Sequence, residues 1–250
     1  MSTPVNALQR AVYPSNRSPD IARLHNWLPP VLSAVAGMVD VISFVSLKLF
    51  TAHVTGNLVV IAALLVRSGP PNMTQILAVP VFILAVAGVW LIAKALNKNG
   101  PDLARPLLLV QFLLLTCVLI FSVSFAPDAH PHGYMGGIAA MIAVSAMACQ
   151  FALLRLAVPG APSTAVMTGN LTKTVLSLLD TLWRKEPLMK NAVQQLTKTL
   201  ALVVGFLVGC VVGAAAVSWL GGWSWALPVV MAGSAIALAP RNPGSQIGSK

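Results

Sequence analysis

Charge is scarce in this sequence: Asp, Glu, Lys and Arg make up 9% of its 250 residues, against about a quarter in ordinary soluble domains. Acidic residues are the scarcest, six against sixteen Lys and Arg. With 57% hydrophobic residues and so little charge, the chain cannot clothe a water-facing surface, which excludes an ordinary soluble domain. Cysteine is nearly absent as well. Cys117, Cys149 and Cys210 stand singly inside apolar runs with no C-x-x-C spacing, so they supply neither a disulfide framework nor a metal site. Also missing are G-x-S-x-G, H-E-x-x-H, a Walker loop and a dinucleotide fingerprint, which leaves no residues to carry an enzyme reaction or hold a cofactor. His130 and His132, either side of Pro131, read as a solvated loop and not as a metal pair.

What the chain has is apolar length. Runs such as "LPPVLSAVAGMVDVISFVSL" (28–47) and "PLLLVQFLLLTCVLIFSVSFA" (106–126) reach the roughly 20 residues a helix needs to cross a bilayer core of about 30 Å. The expected fold is an all-α integral membrane protein whose first partner is the lipid bilayer. The net charge of +10 falls mostly between apolar runs, where retained positive charge sets orientation. It is therefore not a nucleic-acid footprint. The first 26 residues are polar and lack an apolar core ahead of a small-residue cleavage site, so residues 1–27 read as a cytoplasmic tail and not as a removed signal peptide.

Eight apolar segments run at about 28–48, 54–66, 74–96, 106–126, 135–157, 164–180, 192–218 and 223–240. The second and the sixth are short, open on polar residues, and in the sixth case contain Lys173. They are expected to enter the membrane without crossing, which is tolerated where irregular backbone is buried in protein or lines a wet cavity. Charge placement agrees. With six crossings, the cluster Lys94, Lys98 and Arg105, then Arg155, the cluster Arg184, Lys185 and Lys190, and the tail with Arg241 and Lys250 all face one side. Only Lys48 and Arg67 face the other, and "WLGGWSW" (219–225) sits at an interface as aromatic belts do. The expected layout is a first membrane repeat at 28–126, an outer connection at 127–134, a second repeat at 135–240 and a cytoplasmic tail at 241–250. Three crossings and one short segment per half turn the second half upside down, giving an inverted repeat of the kind that recurs in secondary transporters.

The two short segments carry near-copies, "TAHVTGN" (51–57) and "TAVMTGN" (164–170). Thr can cap exposed N–H groups, Gly permits close backbone approach, and Asn offers both a donor and an acceptor. Thr55, Gly56, Asn57, Thr168, Gly169 and Asn170 are therefore candidate solute-binding or gating residues, at half-helix N-termini that would face one shared polar cavity from opposite sides. The same residues also read as a packing device between helices, and both readings stand at this point. Asp40, mid-span in an otherwise uncharged run, needs a partner. Arg155 and Lys48 are the candidates. Gly205, Gly209 and Gly213, four apart, form a stripe expected to pack against another helix.

Gly37-x-x-Asp40 on the first membrane helix, Phe50 just before the first Thr-Gly-Asn, and the second copy within "VPGAPSTAVMTGN" (158–170) resemble the YoaK-like bacterial membrane proteins, a family catalogued as a domain of unknown function. The resemblance spans nearly everything after residue 27. It implies a bacterial multi-pass inner-membrane protein and implies no activity. The expected function, resting on architecture, is a small transporter or permease for a polar or anionic solute. A channel, built as a homo-oligomer, and a non-transporting membrane scaffold are the alternatives.

Overall fold

A computed structural model describes residues 19–66, 73–98, 100–125, 133–183 and 188–240. Eight α-helices occur among them: α1 (Pro19–Leu47), α2 (Val54–Val66), α3 (Met73–Ala95), α4 (Ala104–Phe125), α5 (Tyr134–Ala157), α6 (Met167–Trp183), α7 (Leu188–Leu220) and α8 (Ala226–Leu238). Short 3₁₀ turns at Gly100–Leu103 and Gly221–Trp225 lead into α4 and α8. Several sequence expectations fall outside the described residues: most of the outer connection with His130 and His132, the outward Arg67, Arg184 and Lys185, and both tails beyond residues 19 and 240.

Five stretches are long and apolar enough to cross a membrane: Ala22–Leu47, Met73–Ala95, Gly100–Phe125, Tyr134–Ala157 and Ala192–Leu238. The last is 47 residues long and is interrupted by the turn at Gly221–Trp225, where Gly221 takes a left-handed φ of 52°. α2, at 13 residues, rises about 20 Å and falls short of the hydrocarbon thickness. α6 shows why it was hard to read as a span. Its buried residues are the polar Asn170, Thr174 and Ser177, spaced to fall on one helix face, while Leu179 and Leu182 are exposed. A polar face turned inward with leucine turned outward suits lipid surroundings.

The first helix starts earlier than the apolar run suggested. The helix begins at Pro19 and carries Pro29 and Pro30 inside it, so residues 19–27 are helix and not tail. Leu24, Leu28 and Leu32 explain this: spaced four apart, all three are fully buried on one face and hold the polar turns in place.

α1 and α5 are the enclosed helices. Of their most apolar windows 61% and 67% is buried, against 17% for α3 and 22% for the last stretch, so α3 and the last stretch are the more exposed spans. α1 and α7 run parallel and touch backbone to backbone. A Cβ added at Gly205 would lie 2.7 Å from the Pro30 carbonyl oxygen and one at Gly213 would lie 3.0 Å from the Met38 Cα, while one at Gly209 would collide with the Ala34 carbonyl. Gly37 is pressed in the same way against the Phe206 carbonyl, and the Ser33 hydroxyl donates to the Leu202 carbonyl at 2.7 Å. The glycine stripe is thus the helix contact that its spacing predicts. α4 and α8 pair in the opposite sense: Gly222 lies beside Ser122, Gly233 beside Phe112, and Arg105 Nε donates to the Ile236 carbonyl at 3.4 Å. At the centre, the Gln111 amide donates to Gln150 Oε1 at 2.7 Å, and Gln150 Nε2 donates to the Leu32 carbonyl at 2.8 Å, tying α4, α5 and α1 together.

Candidate functional site

The site grows from the way α1 ends. Lys48 adopts a left-handed φ of 58°, uncommon for a side chain other than glycine, and turns the chain back along the helix it has just left. The segment that follows then lies against Asp40, whose Oδ1 accepts the backbone N–H groups of Thr51 at 3.0 Å, Ala52 at 2.7 Å and His53 at 3.4 Å. These donors lie immediately before α2, so the carboxylate occupies the place where a half-helix N-terminus would otherwise attract an anion. Asp40 Oδ2 meets His53 Nδ1 at 2.5 Å. With Asp40 as a carboxylate, which can only accept, Nδ1 is the donor and Nε2 is the nitrogen left over.

Asp40 therefore has a partner other than the two expected. Arg155 and Lys48 are exposed, and the buried carboxylate is satisfied by the loop backbone and His53 instead. The physical reason is reach: the chain reversal at Lys48 brings three donors and an imidazole to the carboxylate without burying a long cationic side chain.

Asn57 completes the loop. Its Oδ1 accepts the Phe50 N–H at 2.9 Å and its Nδ2 donates to the Phe50 carbonyl at 2.8 Å. Ser43 Oγ lies 3.1 Å from Thr51 Oγ1, and Gln75 Nε2 reaches the Lys48 carbonyl at 2.9 Å. Gly56 faces the Phe50 ring, which an added Cβ would approach to 3.2 Å. Thr55 is exposed.

The second copy repeats part of this. Asn170 Nδ2 donates to the Ser163 carbonyl at 2.7 Å, again seven residues back. Gly169 lies against Val166, and Thr168 is exposed. Thr164, fully buried, has a hydroxyl with no hydrogen-bond partner among the described residues. The offset that carries Asn57 to Asn170 carries Asp40 to Leu153 and His53 to Val166, so the second loop has no carboxylate and no imidazole at the matching positions.

Two cavities lie along the α1–α7 seam. One, of about 380 Å³, is bordered by Asp40 and His53 together with Phe44, Phe50, Phe206 and Cys210. The Phe44 and Phe50 rings stack at 4.6 Å, and His53 meets Phe206 edge-on at 5.2 Å. The other, of about 640 Å³, lies between the Pro29–Pro30 turn of α1, the loop at Gly160–Pro162, and Gln194, Thr197 and Lys198 on α7. Neither is lined by the six Thr-Gly-Asn residues. Their asparagines anchor loops. Each of the two loops borders one of these cavities.

His53 is the residue that sequence reasoning missed. Its signal lay in the two near-copies, where His53 against Val166 is the one difference that adds an ionisable group.

Helices of this length and hydrophobicity, with polar groups turned inward, define a multi-pass, all-helical membrane protein. It belongs to the family described as "Protein of unknown function (DUF1275)", whose profile matches residues 28–239. No curated protein and no solved structure matches the chain.

Proposed function

We propose that the protein is a small carrier of the bacterial inner membrane, with both termini in the cytoplasm and six crossings arranged as two inverted halves. In this reading α1 and α5 are equivalent, as are α2 and α6, α3 and α7, and α4 and α8. The six-crossing count treats the turn at Gly221–Trp225 as a reversal, supported by the opposite pairing of α4 with α8. The observation that carries the carrier reading is Asp40, 5% exposed, bonded to His53 and bordering a cavity beside a chain segment that folds back from the end of α1. A buried carboxylate paired with a half-buried imidazole beside a cavity in a membrane protein is by default a functional-site hypothesis. Asn57 and Asn170 hold the flanking loops, and the glycine seam gives two helices a surface on which to rock. The cavity has a carboxylate and no Lys or Arg among its described lining, which favours a neutral or cationic solute over an anionic one.

The engagement of both asparagines with their own loops also favours a second reading, in which the protein transports nothing and the motifs serve packing alone. Flux of a solute, selected by thermal-shift screening of the purified protein, into proteoliposomes separates the two. Uptake abolished by Asp40→Asn in a protein that still inserts and folds supports a carrier. Absence of flux across the screened solutes, with wild-type and variant alike, supports the scaffold. Cysteine accessibility in intact cells tests the topology: a Cys at Ala129 labels from outside and one at Asn99 does not, and the reverse overturns the six-crossing arrangement.

A further inference from the structure

The cavity at Asp40 has the wrong composition for a sugar-like or anionic solute. Three phenylalanines wall it, and among its described lining residues the ionisable groups besides a thiol are one carboxylate and one imidazole. Aromatic faces and a carboxylate attract cations, and the described lining holds no Lys or Arg to oppose them. We propose that this cavity binds a small organic cation with an apolar body, and that the cation and a proton on His53 exclude one another, so the protein exchanges one for the other.

The charge count is the argument. As a carboxylate, Asp40 accepts three backbone N–H groups on Oδ1 and faces His53 through Oδ2. With His53 protonated, the pair is neutral. With a cation beside the carboxylate, neutrality requires the imidazole to be uncharged. Two positive charges together, or none, would leave a net charge against an apolar wall, where charge is costly. Binding therefore proceeds as cation plus protonated His53 giving bound cation, neutral His53 and one proton released to water. The groups that face His53 are Asp40 on α1 and Cys210 on α7; α2 carries no titratable residue, and Lys48 in the loop is exposed. The exchange rests on the carrier reading above, whereas the binding site does not.

The test uses benzyltrimethylammonium, whose charge is permanent, so that any proton released comes from the protein. Calorimetry on the full chain in detergent is expected to show binding that tightens as pH rises, by up to about tenfold per unit where His53 is protonated, with up to one proton released per cation. His53→Gln is expected to bind the cation with no pH dependence and no proton release. Benzenesulfonate is expected not to bind. Because Asp40 also holds the loop, Phe206→Leu is the second variant: it keeps the loop bonds, removes an aromatic wall, and is expected to weaken cation binding several-fold. Equal binding of the sulfonate, proton uptake in place of release, or a pH dependence that survives His53→Gln would overturn the site. In proteoliposomes, cation accumulation driven by a pH gradient and lost in His53→Gln supports the exchange. Cation binding with proton release but no flux overturns the exchange and the carrier reading while leaving the site. Flux of another solute without cation binding overturns the site and leaves the carrier.

Discussion

Asn57 bonds back to Phe50 and Asn170 bonds back to Ser163, seven residues away in each case, yet the two loops are closed by different chemistry. In the first, a buried carboxylate collects three backbone N–H groups and an imidazole. In the second, Leu153 stands where the carboxylate would be, Val166 where the imidazole would be, and the Thr164 hydroxyl has no partner among the described residues. The shared bond shows what Thr-Gly-Asn is for locally: the asparagine replaces the hydrogen bonds that a reversed, non-helical segment cannot make to itself. The difference lies in the ionisable pair of the first loop. Both members of the ionisable pair are absent together from the second half, as expected if neither is tolerable without the other.

Breaking what the two halves share should have the largest effect. Gly209→Leu drives a side chain into the Ala34 carbonyl and is expected to cost more than about 3 kcal/mol, with little folded protein recovered from membranes. Gly88→Leu on α3, where an added Cβ meets nothing within 4 Å, is the neutral control. Next, Asp40→Leu gives the first loop the residue of the second but leaves its N–H groups and His53 unpartnered. A loss of about 3–5 kcal/mol in detergent-unfolding free energy is expected. A loss under about 1 kcal/mol would mean that the carboxylate does not hold the loop.

The asparagines sharpen the comparison. Asn57→Ala removes two hydrogen bonds and Asn170→Ala one to the loop backbone, so losses of about 2–3 and about 1 kcal/mol are expected in the same assay. Equal losses would mean that the loops are closed alike after all. The smallest effects distinguish Thr51 from Thr164. Thr51→Val gives up the contact with Ser43 and should cost about 1 kcal/mol, whereas Thr164→Val removes an unpartnered hydroxyl and should be neutral or slightly stabilising.

Hydrophobic length made the membrane class legible, and the short, polar opening of the two motif segments set them apart from the full spans. Glycine spacing made the α1–α7 contact legible because a stripe of small residues has few other uses. The polar turns of α1 before Leu28 were not legible, since nothing local distinguishes a solvated tail from a helix held by Leu24 and Leu28. Nor was the partner of Asp40. Charge counting proposes Arg155 or Lys48 because they are charged, but the chain reversal at Lys48 is a tertiary fact, and it delivers uncharged N–H groups that no residue count can reveal.

The parallel contact of α1 with α7 also constrains how the protein is made. Ser33 and Leu202 are 169 residues apart and bonded. At about 5–20 residues per second, the ribosome delivers Leu202 some 10–30 seconds after Ser33. Throughout that interval α1 lacks its α7 partner. Its final docking is therefore a late event in biogenesis, and a ribosome stalled before Gly205 would leave a nascent chain whose first helix is inserted but unseated, exposed to membrane quality control.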